Sequence, residues 1–337
     1  MNANEGWDSE RRELLGRRIS DLGLNLGGSA LEPLVAQLYR ELDERGLVFH
    51  PQVYLSDQWG CPSDVPVIGV PFYLADPRLS RIEAEEALGV EGETDAMKFL
   101  RHEAGHAFNY AYRLYDRADW RELFGPYSRP YRERYRVDPL SREYVRHILG
   151  WYAQKHPDED FAETFAVWLT PGDDWRQRYA TWPALRKLEY VDRVLAEVGG
   201  TPPPPFGVEP EHLPVEAMHY TVAEHYREAE PHIEIGDERY FDGDLRTIFA
   251  GADADELAAD FIRAHRTELV NRVAYWTGEP PGLVRTLVDF LAERAATLGL
   301  RVAGREASTL IELTAFGTAV VLNYRYTDEL GNREASK

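Results

Sequence analysis

Three side chains set the chemical question: His102, Glu103 and His106, in the string His102-Glu103-Ala104-Gly105-His106. On a helix, residues four apart lie on one face about one turn apart, so both imidazoles can reach a single metal ion. Glu103 sits one step round the helix. It is badly placed to ligate the same ion but well placed to take a proton from a water beside it. Zinc brings the pKa of such a water to about 7, and a carboxylate base then lets it attack a carbonyl carbon. The motif is flanked by Phe99, Leu100, Ala104, Ala107 and Phe108, which predicts buried histidines rather than a solvated pair. A glycine inside a helix costs about 0.5–1 kcal/mol against alanine, so Gly105 implies that another segment comes close.

Catalytic zinc takes three protein ligands and keeps one position open. The downstream segment His156-Pro157-Asp158-Glu159-Asp160-Phe161-Ala162-Glu163 supplies candidates. Pro157 and the acidic cluster open a predicted helix, with Asp158 as its cap. Glu159 and Glu163 are four apart and share a face. Of these two, one can ligate the metal and the other can hold a ligating histidine by its second nitrogen. Clustering at a helix N-terminus accounts well for Asp158 and Asp160. It accounts less well for Glu163, which is set among Phe161, Ala162, Phe165 and Ala166.

Predicted elements position these groups. Asp95 caps a helix from Ala96 to about Tyr115 that carries the histidines. Leu31, Leu34, Val35, Leu38 and Leu42 give helical periodicity to Ala30–Arg45. Helices are also expected over Val145–Tyr152, Phe161–Leu169 and Leu185–Val198. Val53-Tyr54-Leu55 and Val65–Ala75 read as strands, and Pro66 and Pro71 give the second an edge character. Val67–Phe72 could then accept a polypeptide as an added strand. The run Gly199-Gly200-Thr201-Pro202-Pro203-Pro204-Pro205 is an extended spacer. The chain therefore divides into residues 1–200, the linker 201–205 and a mainly helical region 206–337. In that last region helices are expected over Pro214–Ala229, Ala254–Trp276 and Leu283–Leu298. Thr309–Tyr326 could be strand or helix.

Composition limits the partners. The 337 residues include 38 Lys and Arg against 58 Asp and Glu, a net charge of −20. Such a surface repels phosphate backbones and anionic membranes, so no nucleic-acid or membrane partner is expected. No apolar run reaches about 18 residues, which excludes a spanning helix. Met1–Leu15 carries Glu5, Asp8, Glu10, Arg11 and Arg12 and lacks the apolar core of a secretory signal. Cys61 is the one cysteine, so no internal disulfide and no cysteine-based zinc ribbon can form. Together these predict a cytoplasmic protein. The oligomeric state is not legible.

The string Glu159-Asp160-Phe161-Ala162-Glu163-Thr164-Phe165-Ala166, taken with His102–His106, resembles the gluzincin metallopeptidases, and in particular the lethal-factor-like bacterial peptidases. A bacterial family of zinc-binding metallopeptidases is more similar still, from about Leu22 to Leu169, through Pro71-Phe72-Tyr73-Leu74, His102–His106 and Gly150–Leu169. That family often carries an N-terminal zinc ribbon, which this chain lacks, and the resemblance stops before Pro205. It implies an α+β zincin-like domain with a small mixed sheet and an active-site helix. It also implies Zn2+ held by His102, His106 and Glu159, with Glu163 beside a ligating histidine. Tyr152, seven residues before Glu159, matches a tyrosine that donates to the oxyanion in the lethal-factor-like enzymes. The expected activity is hydrolysis of peptide bonds in a polypeptide substrate, with Glu103 as general base.

Two rivals share the motif. One is a non-catalytic binding protein that keeps the fold; the intact Glu103 argues against it. The other is a zinc hydrolase acting on small amides or esters, whose metal chemistry is the same. His147 lacks an evident carboxylate partner, and His156, before a proline, reads as a turn residue. His212, His219, His225 and His232 read as surface histidines. Cys61, between Gly60 and Pro62, reads as a small loop residue, and the proline run as a linker rather than a docking motif.

Overall fold

The computed structural model describes residues 3–86, 91–132, 135–148, 150–206, 214–229, 238–249, 256–279, 281–302 and 304–327. Contacts divide the chain into two compact units, residues 1–228 and 229–337. The division falls well beyond the proline run. Residues after that run return to the first unit: Val215, Met218 and Val222 are buried in its core. Backbone bonds fasten them there, from Ile19 N to Tyr220 O (3.1 Å), Ser20 N to Met218 O (3.0 Å) and Val222 N to Arg17 O (3.0 Å).

The first unit begins with α1 (Ala3–Gly16) and α2 (Leu31–Glu44). The apolar face of α2 buries Leu31, Val35, Leu38 and Leu42 as its periodicity predicts. Strands β1 (Gln52–Ser56) and β2 (Val67–Pro71) then pair in parallel, Gln52 opposite Val67 through Ser56 opposite Pro71. The expected mixed sheet is thus a parallel pair, with an antiparallel contribution reduced to the Gly60–Gly69 bridge.

That bridge corrects the expectation of a free edge over Val67–Phe72. Every residue of β2 is buried. On the side away from β1, Gly69 N donates to Gly60 O (2.7 Å) and Gly60 N to Gly69 O (3.2 Å). A Cβ on Gly69 would lie 3.0 Å from Ser56 Cβ and 3.3 Å from Gly60 O, so a larger residue would crowd both neighbours.

Helices α3 (Pro77–Glu86), α4 (Glu93–Ala111) and α5 (Ala118–Phe124) follow. Gly92 caps α4 through its extended backbone. Asp95 lies in the first turn, paired with Lys98 Nζ at 2.9 Å, and is not the cap. Arg113, at φ 49°, ends the helix before Tyr115. Arg101 of α4 is buried and forks onto buried Glu41 of α2, with both contacts at 2.7 Å. This two-bond geometry fixes the metal-motif helix in register.

The wholly buried α6 (Pro157–Leu169) packs along α4, and α7 (Trp175–Arg178) and α8 (Leu185–Val198) complete this layer. Gly105 lies where α4 and α6 touch. A Cβ there would meet Ala162 Cα at 2.8 Å and Ala162 O at 3.0 Å. The expected helix over Val145–Tyr152 is absent among the described residues, with a short 3-10 turn only at Tyr152–Gln154. Trp151, at φ 55°, breaks any helix, and the N–H groups of His147 and Ile148 are drawn to a side chain of α6. Beyond the proline run, a 3-10 turn at Val215–Ala217 precedes α9 (Val222–Ala229), so Pro214–Ala229 is not one helix.

The second unit consists, among the described residues, of α10 (Asp242–Ile248), α11 (Ala258–Ala264), α12 (Arg266–Thr277), α13 (Pro281–Thr297) and α14 (Glu306–Thr327). The expected single helix over Ala254–Trp276 is broken at His265, and Ala254 lies outside the described residues. The segment Thr309–Tyr326 is helical. The architecture is α+β with a helical C-terminal region. No helix among the described residues is long and apolar enough to cross a membrane.

Candidate metal centre

α4 and α6 present their polar atoms to each other across an otherwise apolar contact. His102 and His106 are one turn apart on α4, and their Nε2 atoms lie 3.1 Å from each other. Glu159, in the first turn of α6, places Oε2 3.0 Å from His102 Nε2 and 3.2 Å from His106 Nε2. All three residues are buried, and one ligand atom from each lies within 4.8 Å of the others.

The outer nitrogen of each ring is held separately. His102 Nδ1 is 3.1 Å from Glu163 Oε1, and His106 Nδ1 is 3.0 Å from Asp158 Oδ2. A carboxylate only accepts, so each Nδ1 carries a proton, and loss of the Nε2 proton leaves a neutral ring with its Nε2 lone pair turned inward. Once the Nε2 protons are lost, three acceptors face one point. A cation satisfies them, and two imidazoles with a carboxylate suit zinc.

The supporting carboxylates are themselves tied down. Glu163 accepts from the backbone N–H of His147 (3.2 Å) and of Ile148 (3.0 Å to Oε2). Asp158 accepts from Asn109 Nδ2 at 2.7 Å and from Tyr110 OH at 2.5 Å. Asp158 does not cap α6 as its position suggested. That role belongs to His156, whose Nδ1 accepts from Asp158 N (3.2 Å) and whose Nε2 donates to Arg129 O (2.8 Å).

The electrostatics follow from packing opposite charges in a dry space. Burial favours neutral His102, but Glu159 and Glu163 outweigh it and raise its pKa to about 9. His106 is driven well above its ordinary value in the same way, burial being outweighed by Asp158 and Glu159. Burial works against the Glu159 carboxylate too, yet His106 and His102 hold its pKa well below normal. Glu103 is different: burial raises its pKa, the two histidines pull it back, and Glu159 and Asp158 push it further up. Its carboxylate accepts no hydrogen bond from a described residue and lines a cavity of about 690 Å3 together with His102, His106 and Glu159.

Tyr152 and Tyr131 line the same cavity. The Tyr152 ring lies 5.6 Å from that of His102, its hydroxyl is 3.4 Å from the Tyr131 hydroxyl, and burial raises its pKa strongly. Tyr131 OH donates to Glu159 Oε1.

Several of these residues escaped sequence reasoning. Tyr110 lies four after His106 and Asn109 three after it, so the face that carries the histidines was the available signal. Asp158 was visible but read as a helix-end charge. Tyr131, in a loop 28 residues before Glu159, gave no signal. Among the set-aside residues, His147 bonds Lys98 O through Nε2 at 3.1 Å, and burial lowers its pKa. Cys61 Sγ contacts Val65 O at 3.4 Å, and the thiol is pushed well above its ordinary pKa by burial. His219 and His225 belong to the first unit, whereas His212 and His232 lie outside the described residues.

The cluster of His102, His106 and Glu159 fits a metal site of the His-Glu-x-x-His type on two packed helices. Residues 80–188 match the family described as "Putative zinc-binding metallo-peptidase". The matched segment holds α4, α6 and the whole cluster. It begins later and ends later than the resemblance from Leu22 to Leu169. No curated protein and no solved structure matches the chain.

Proposed function

We propose that the chain hydrolyses peptide bonds in polypeptides, with zinc held by His102, His106 and Glu159. The observation that carries this reading is the pairing of three convergent ligand atoms with a buried carboxylate on the cavity wall, Glu103, to which no described residue donates. A purely structural site has no use for such a carboxylate. Bound there, zinc supplies Lewis-acid activation of a water and of the scissile carbonyl.

The chain's own groups do the rest. Glu103 accepts the proton of the attacking water and passes it to the leaving amine. The raised pKa that burial gives it suits both roles. Tyr152 donates its phenolic proton as a hydrogen bond to the oxyanion, and burial keeps that phenol protonated at any working pH. Glu163 and Asp158 keep the two imidazoles in the tautomer that points Nε2 inward. A reducing, cytoplasmic setting suits a chain with a single cysteine.

The test is the Glu103→Gln variant. We expect it to keep wild-type zinc affinity and to lose about 10²- to 10⁴-fold in hydrolysis of an unfolded polypeptide, the usual range for general-base catalysis. Equal activity in both proteins would contradict the assignment. Wild-type hydrolysis of small amides but not of polypeptides would move the chain to a different class of zinc hydrolase.

A further inference from the structure

The two oxygens of Glu159 have different partners. Oε2 faces the Nε2 atoms of His102 and His106 at 3.0 and 3.2 Å, while Oε1 accepts from the Tyr131 hydroxyl. Tyr131 comes from the connection between α5 and α6, outside the two metal-motif segments, and is half exposed at 50%. Its ring nevertheless has a defined seat. Lys155 Nζ lies 4.4 Å from the Tyr131 ring centroid and 5.2 Å from that of Tyr152. The His156 ring lies 5.3 Å from the Tyr131 ring. Lys155 and His156 immediately precede α6, so the segment that starts the helix bearing Glu159 also seats the tyrosine that bonds it.

From this we infer that Tyr131 is a positioning residue for the metal ligand: its hydroxyl holds Glu159 Oε1 and so reserves Oε2 for the ion. The inference rests on the zinc reading above. A carboxylate with both oxygens unheld in a buried pocket can swing or offer both to the ion, which would use the open position that the reaction needs. A donated phenolic hydrogen bond removes that freedom and satisfies an anionic oxygen. The Tyr152 hydroxyl reaches that of Tyr131 at 3.4 Å, so Tyr131 stands between Glu159 and Tyr152. The two tyrosines therefore divide the work, Tyr131 serving the ligand and Tyr152 facing the substrate.

The experiment uses the full chain as wild type, Tyr131→Phe, Tyr131→Ala and Tyr152→Phe. Zinc affinity is measured by competition with a chelator of known affinity, and the visible absorption of the cobalt(II)-loaded proteins is recorded. We expect Tyr131→Phe to bind zinc about 10- to 100-fold more weakly, the usual effect of losing a group that supports a ligand. We expect Tyr131→Ala to be affected alike and Tyr152→Phe to bind as wild type. The cobalt band of Tyr131→Phe should weaken and shift as the second oxygen enters the ligand set, a change that loss of ring packing would not give. Wild-type affinity and an unchanged cobalt spectrum in Tyr131→Phe would overturn the inference alone. So would a loss seen in Tyr131→Ala but not in Tyr131→Phe, because the ring rather than the hydroxyl would then matter. A wild-type chain that binds no zinc would overturn the site reading and this inference together.

Discussion

His106 Nδ1 lies 3.0 Å from Oδ2 of Asp158, the residue immediately before Glu159. Adjacent carboxylates on one helix turn thus act on the same imidazole from opposite sides: Glu159 Oε2 meets its Nε2 at 3.2 Å while Asp158 holds its Nδ1. Asp158 is held in turn by Asn109 and Tyr110, both from the helix that carries His106.

Removing this support should weaken the centre without dismantling it. Asp158→Ala is expected to lose about 10- to 100-fold in zinc affinity, and Asp158→Asn less, since an amide oxygen still accepts from Nδ1. Chelator competition checks this. Equal, wild-type affinity in both variants would show that Asp158 does not support the metal ligand.

Gly105 lies in close contact with the second helix. A Cβ there would lie 2.8 Å from Ala162 Cα and 3.0 Å from Ala162 O, both backbone atoms of α6 that cannot rotate away. Gly105→Ala should therefore cost about 1–3 kcal/mol or more of unfolding free energy despite the better helix propensity of alanine. It should also weaken zinc binding, because Glu159 rides on the displaced helix. Denaturant unfolding with the metal removed measures the first effect. A more stable Gly105→Ala protein would mean that the helices are not in contact at this point.

Metal and protons compete for the same nitrogens. In the metal-free protein His102 titrates near 9, raised by Glu159 and Glu163 against the opposing effect of burial. Zinc needs the neutral ring, so binding at pH 7.5 should release protons, and affinity should rise with pH until about 9. The linkage to folding has the matching sign. A raised histidine pKa stabilises the metal-free fold fully below the ordinary value of 6.5, and this contribution is lost as pH rises through about 9. Calorimetric titrations in buffers of different ionisation enthalpy count the released protons. A binding enthalpy independent of buffer would contradict the charged state of the metal-free site.

Much of the site was legible because its signals are local. His102, His106, Glu159 and Glu163 fall at fixed helical steps, and the flanking apolar residues marked the histidines as buried. The cost of an interior glycine pointed to the close approach that Ala162 makes at Gly105. What escaped depends on partners far apart in sequence. Asp158 looked like a capping residue because only the fold brings His106, Asn109 and Tyr110 to it. The Val145–Tyr152 segment has helical periodicity, yet the fold gives the N–H groups of His147 and Ile148 to Glu163. Pairing likewise decided the strand: Val67–Phe72 reads as an edge, but Gly60 occupies its far side at Gly69. At the C-terminal side, Pro202–Pro205 is a break in local structure. Val215, Met218 and Val222 still bury in the first core, because their apolar side chains find room there.

The most direct test of the account is the zinc content of the purified chain, measured by elemental analysis for wild type and for His102→Ala. The account predicts about one zinc per wild-type chain, the number a single His, His, Glu centre can hold, and little or none in the variant. No zinc in the wild-type protein after incubation with the metal, or equal zinc in both proteins, would contradict it.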